Sequence, residues 1–189
     1  MSAPFFQLLG HVFTAVHTCG ADKEVASALV GQGFGQDRLN RGRDLVERGM
    51  ALPDRRIEET VGERIVEHGV HTSADELKIW MQTVQFKLKR LLDDPQLRAA
   101  VGGEDLHADE HVVEVVGRAL RMLGMLRTHP AVHEELGSGR SARDLLIRGN
   151  TLLEKLYDVG DDLMSPGATG NPEAPVFGDI ADFRARATA

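Results

Sequence analysis

The sequence predicts an all-α protein, a bundle of long helices, and three observations carry that prediction. Apolar residues recur at heptad spacing in three long segments, proline and glycine punctuate the segment ends, and no stretch reads as a strand. The composition agrees: the chain has 189 residues, 42% hydrophobic and 27% charged, with many Leu, Ala, Glu and Arg and few aromatics.

The elements follow in order. Pro4 suits a helix start, and Phe5, Leu9, Val12 and Val16 then step by threes and fours to a stop near Gly20. A second short helix is expected from Asp22 to Val30, ending at "GQGFG", whose glycines fit a left-handed cap and a loop. A longer helix runs from about Gln36 to Leu52, where Pro53 ends or kinks it, because proline lacks an N–H donor and disfavours a helical residue before it. The stretch "PDRRIEETVGERIVEHG" resumes a helix with Ile57, Val61 and Ile65 on one face.

A fresh helix start is expected at Thr72 or Ser73. Either can cap, and Asp75 and Glu76 then sit in the first turn, where the helix dipole favours negative charge. From there Leu77, Met81, Val84, Leu88 and Leu91 form a heptad seam. Val112, Val116, Ala119, Leu123 and Leu126 form a second, and Ala142, Leu145, Gly149, Leu152 and Leu156 a third. Three seams of one period predict helices packed nearly parallel in one bundle over residues 1–162, with about 1–70 and 71–162 as two related halves. Residues 163–189 read as a linker, "SPGATGNPEAP", and an extended C-terminal docking arm. In that arm Phe177, Ile180 and Phe183 lie at three-residue steps and are expected to dock on this bundle or on a sister chain.

Short Pro-to-Gly connector helices join the long ones. "DDPQLRAAVG" (93–102) and "THPAVHEELG" (128–137) share the proline, two apolar positions and the closing glycine, with a period of about 35 residues. Asp94 and His129 then fall at the N-cap, Pro95 and Pro130 at the first helical position, and Gly102 and Gly137 at the end. "LNRGRDLVE" also parallels "LIRGNTLLE", so Gly42 and Gly149 share a place. A glycine inside a helix costs about 1 kcal/mol relative to alanine, which suggests close approach of a neighbouring helix backbone at both.

Charge and cysteine usage bound the function. A net charge of −7 argues against a general nucleic-acid surface, since that affinity comes from Lys and Arg displacing counterions. The arginines at 38, 41, 43, 48, 55, 56 and 64 are interleaved with carboxylates at helix-neighbour spacing, so mutual i,i+4 compensation is the expected arrangement. Cys19 is the single cysteine, which excludes an intrachain disulfide and points to a reducing, cytoplasmic setting. No run of eighteen apolar residues occurs, so no membrane span is expected. The apolar N-terminal stretch has no Lys or Arg before Lys23 and carries His11 and His17, unlike a secretory leader.

The residues offer few candidates for chemistry. "EDLHADEH" places His107 and His111 four apart with Glu104 three before His107, half of a di-metal carboxylate pattern in a helical bundle. A divalent metal there needs further ligands, for which Glu67, His68 and His71 qualify by residue type. The competing account is an acidic first turn, with Asp105 or His107 near the cap and Asp109 and Glu110 facing the positive helix end. His68 and His71 fit a helix end and its following turn, while His17 and Cys19 lack a base for nucleophilic work. Trp80, Met81, Met122 and Met125 fall on or beside seams and are expected in packing.

The expectation is therefore a non-enzymatic structural or interaction protein that self-associates as a homo-oligomer, with Phe177, Ile180 and Phe183 at the contact and no resident cofactor. The alternative is a metal-binding bundle, for storage or oxygen chemistry, using Glu104, His107 and His111. A third reading is a module that holds a peptide or small apolar ligand in a groove between helices.

Overall fold

The computed structural model of the chain describes residues 4–21, 23–32, 35–59, 64–91, 98, 110–136, 139–164 and 175–187. Among them are eight helices and no strand: α1 Phe5–Ala21, α2 Lys23–Gly31, α3 Gln36–Glu59, α4 Arg64–Lys87, α5 Val112–Thr128, α6 Pro130–Glu135, α7 Gly139–Leu163 and α8 Pro175–Ala187. The protein is an all-α helical bundle. No helix among the described residues is long and apolar enough to cross a membrane.

Helix α5 is the hub, packed against α1, α4 and α7. Its Val113, Val115, Val116, Ala119, Met122, Leu123, Met125 and Leu126 are all buried, so apolar residues cover most of its circumference. A helix apolar on most sides belongs inside a protein. Helix α1 lies against it and carries α3 and α8 on its other side. The α1–α5 crossing is close: a Cβ built on Gly10 would meet Val116 at 2.4 Å, and one on Gly117 would meet the Phe13 ring at 2.6 Å. The Thr14 hydroxyl donates to the Gly10 carbonyl at 2.8 Å within its own helix.

The seam residues go to the core. Leu77, Met81 and Val84 of α4 with Leu88 just after it, Val116, Ala119, Leu123 and Leu126 of α5, and Ala142, Leu145 and Leu156 of α7 are buried. Helices α4 and α7 run antiparallel, since Lys155 pairs with Glu76 at 2.7 Å while Trp80 faces Leu145 and Gly149. The Trp80 indole donates to the Leu145 carbonyl at 3.1 Å. Its ring occupies the notch left by Gly149, where a Cβ would come within 2.4 Å of it. Gly42 is occupied in the same way by Val16, at 2.8 Å. The close approach expected at these two glycines therefore comes from a side chain, not from a neighbouring backbone.

Two helix boundaries differ from expectation. Helix α3 runs through Pro53 to Glu59. Interior proline costs about 3 kcal/mol, but Leu52 and Pro53 are both buried, and that burial opposes the break. Likewise α4 begins at Arg64 and passes through Thr72 and Ser73 without a start. Val70 and Ala74 carry the Leu77 face one full turn further back, and Ser73 is itself buried, so tertiary burial overrides a local capping signal. His71 is consequently an exposed mid-helix residue, and His68 too lies within α4.

Of the Pro-to-Gly connectors, α6 is described. Pro130 opens it, with His129 at the N-cap, but the His129 side chain makes no capping bond. His129 instead closes α5 through its backbone N–H to the Met125 carbonyl, and its buried Nδ1 has no hydrogen-bond partner among the described residues. The other connector, residues 93–102, and Gly137 lie outside the described residues, Arg98 excepted.

The C-terminal helix α8 docks on this chain's own α3 and α1. Ile180 and Phe183 are buried there, and Phe183 meets Phe5 with ring centroids 5.2 Å apart. Arg55 of α3 pairs with Asp179 at 2.6 Å, which makes α3 and α8 antiparallel, given that Phe183 lies on Gly49. Asp161 of α7 ties this corner together, accepting from the Phe5 backbone N–H at 2.8 Å and from Arg184 at 3.4 Å. A carboxylate on a free helix N–H suits the positive end of α1. Phe177 belongs to α8, with its side chain outside the described residues.

Candidate functional site

The sequence-derived metal candidates do not come together in the described part of the chain. Glu104 and His107 lie outside it. His111 is the N-cap of α5, with extended backbone, and its Nδ1 accepts from the Val113 N–H at 3.2 Å. Glu114 Oε2 accepts in turn from the His111 N–H at 3.3 Å, completing a reciprocal capping box. Because α5 starts at Val112, His111 stands in front of the helix, and α5 does not supply the shared face expected for His107 and His111. Among the described residues no group of three or more His, Cys, Asp or Glu is placed to hold a metal.

Beside that cap sits an ion pair that sequence reasoning did not find. Glu110, expected to face the helix end, reaches the Arg118 guanidinium, and their side chains are only 6% and 9% exposed. The available signal was Arg118 itself, a charge that shares its helix face with Val115 and Met122.

His17 and Cys19 separate as well. His17 stacks on Phe13, with ring centroids 5.9 Å apart, and lines a hollow with Arg43 and Glu47. Half-buried Cys19 instead faces a groove of about 830 Å³ between α1, α2, α3 and α8.

That groove is larger than the hollow beside His17. Its floor is apolar, built from Ala15 and Val16 of α1, Leu29 of α2, and Leu39 and Leu45 of α3. Arginines 38, 41 and 48 of α3 and Arg186 of α8 stand around it, with Asp44 the single carboxylate among the described lining residues. Residues 38, 41, 45 and 48 recur at three- and four-residue steps, so one face of α3 brings three guanidinium groups and an apolar side chain to the same side.

Arg43, Arg48 and Arg41 do not show the ion-pair compensation expected within α3. Arg43 donates to Asn40 at 3.2 Å and Arg48 to the Asp44 backbone carbonyl at 3.2 Å, while Arg41 makes no ion pair among the described residues. Arg186 pairs with Asp182 one turn earlier at 2.8 Å. The arginine spacing was legible in the sequence. That α1 and α2 would lay an apolar floor beside it was not, because the floor is assembled from three segments.

Comparison of the chain with protein-family models, with curated proteins and with solved structures finds no match.

Proposed function

We propose that the protein is a non-catalytic binding module that takes an anionic amphiphile, an apolar tail with a carboxylate or phosphate head, in the groove between α1, α2, α3 and α8. One observation carries this reading: an apolar floor in a hollow of ligand size, bordered among the described residues by four arginines and one aspartate. Arginine forks match carboxylate and phosphate oxygens two at a time, and they are more weakly hydrated than lysine, which suits a half-apolar site. Burial of the tail supplies affinity and the guanidinium rim sets its direction.

Decanoate is the test ligand, with decanol as the uncharged control and calorimetry as the readout. Decanoate is expected to bind saturably, and the double variant Arg41→Gln/Arg48→Gln to bind it at least about tenfold more weakly, a loss of roughly 1.4 kcal/mol. Decanol binding as tightly as decanoate, or no saturable decanoate binding, would sink the proposal.

Self-association is the second reading, and a separate surface favours it. Ile79 and Phe86 of α4 are 57% and 79% exposed, and their heptad spacing puts them on one face, away from the Leu77–Leu88 seam. Exposed apolar side chains in register suit a helix-to-helix contact between copies. With Ile180 and Phe183 buried in their own chain, this face replaces the arm as the contact. Light scattering should give a multiple of the chain mass, and Phe86→Lys should return it to one chain while changing stability by less than about 0.5 kcal/mol. A wild-type protein that stays at one chain mass at every concentration contradicts the reading.

A further inference from the structure

A second hollow, of about 620 Å³, opens between α1, α5 and α7, with no lining residue in common with the arginine-rimmed groove. Its two charged walls have opposite sign. Helix α5 contributes Arg121 and Arg127, whereas α7 contributes Glu154 and Asp158, one helical turn apart. The walls are not joined by their own charges. Arg127 donates to the amide oxygen of Asn150 at 2.9 Å, and neither Glu154 nor Asp158 makes an ion pair among the described residues.

Tyr157 lies between those two carboxylates in sequence and lines the same cleft. It is 8% exposed, and its hydroxyl is buried with no hydrogen-bond partner among the described residues. Leaving a buried hydroxyl unpaired costs about 1–3 kcal/mol. A phenylalanine would fill the same space without that cost, so the hydroxyl calls for an acceptor or donor that arrives with a ligand. Burial also pushes the phenol well above its ordinary pKa. The group therefore stays a neutral O–H through the physiological range, able to donate to a carboxylate or carbonyl oxygen.

We propose that this cleft binds a small zwitterion with the charge plan of a free amino acid. Its carboxylate is held by Arg121 and Arg127, its ammonium by Glu154 and Asp158, and one of its oxygens by the Tyr157 hydroxyl. The size fits, since small-molecule sites occupy roughly 300–1,000 Å³ and use a few placed polar groups on a largely apolar wall. Here Leu120, Leu123 and Leu153 provide that wall. A singly charged molecule would satisfy one side of the cleft and leave the other solvated.

The test uses the full chain with the standard L-amino acids, each alone, and with acetate and ethylammonium as single-charge probes, read by ligand-detected NMR and thermal unfolding. At least one amino acid is expected to bind saturably, about tenfold or more tighter than either single-charge probe. Tyr157→Phe should weaken that binding by about tenfold while leaving the unfolding temperature equal or higher, because the unpaired hydroxyl is gone. Glu154→Gln/Asp158→Asn, at two exposed positions, should weaken it similarly without unfolding the chain. Acetate binding as well as the amino acids, no amino acid binding at all, or binding indifferent to Tyr157→Phe would each overturn the proposal. Arg41→Gln/Arg48→Gln should leave amino-acid binding unchanged, which separates this site from the amphiphile groove.

Discussion

Trp80→Ala is expected to remove about 3–5 kcal/mol of stability, the usual cost of deleting a large aromatic from a packed core. The residue is fully buried, its indole N–H is bonded to the Leu145 carbonyl, and its ring fills the notch over Gly149. Domains of this kind are stable by only about 5–15 kcal/mol. The loss therefore consumes a large fraction of the total, and urea unfolding followed by circular dichroism should show a much lower midpoint with an unchanged slope.

The same contact makes a sharper prediction through Gly149→Ala. In the native background the new methyl meets the Trp80 ring and should destabilise by about 1–3 kcal/mol. In the Trp80→Ala background the ring is gone, and alanine should stabilise the helix by up to about 1 kcal/mol. Equal effects in both backgrounds would show that α7 does not receive the indole at that notch.

Arg118→Met is expected to cost about 3–5 kcal/mol, because it strands the Glu110 carboxylate in a site almost closed to water. Desolvation makes an unpaired buried charge far more expensive than the pair is favourable. Consequently Glu110→Met/Arg118→Met should be markedly more stable than Arg118→Met alone, although it lacks the ion pair altogether. A four-way unfolding comparison reads the coupling directly. If the two single losses add to the double within about 0.5 kcal/mol, the pair is not the unit described here.

Much of this architecture was legible before any fold was known. The Leu77–Leu88, Val116–Leu126 and Ala142–Leu156 seams are read by periodicity, and they are the residues that fill the core. Two local signals were read and then overruled. Thr72 and Ser73 look like caps, and Pro53 looks like a stop, yet α4 and α3 continue through them, because Val70, Ala74, Leu52 and Pro53 all have apolar space to enter. Capping is worth about 1 kcal/mol, and burial of a few large side chains exceeds it.

The candidate sites were legible only in part. The arginine face of α3 is a sequence pattern, but its apolar floor comes from α1 and α2. Tyr157 is one residue among α7's heptads, and nothing local marks its hydroxyl as unpaired. The expected His107–His111 face involves His107, which lies outside the described residues, while His111 caps α5.

The sequence by itself determined the helical class and which face of each long helix seeks apolar company, since both follow from spacing along a single segment. Only the tertiary structure decided that α5 would be enclosed by three neighbours, that Ile180 and Phe183 would be buried on α3 and α1, and that opposite charges would line one cleft. A periodic face states that it must be covered. What covers it depends on segments far away in the chain, and on the solvent-excluded space they leave one another.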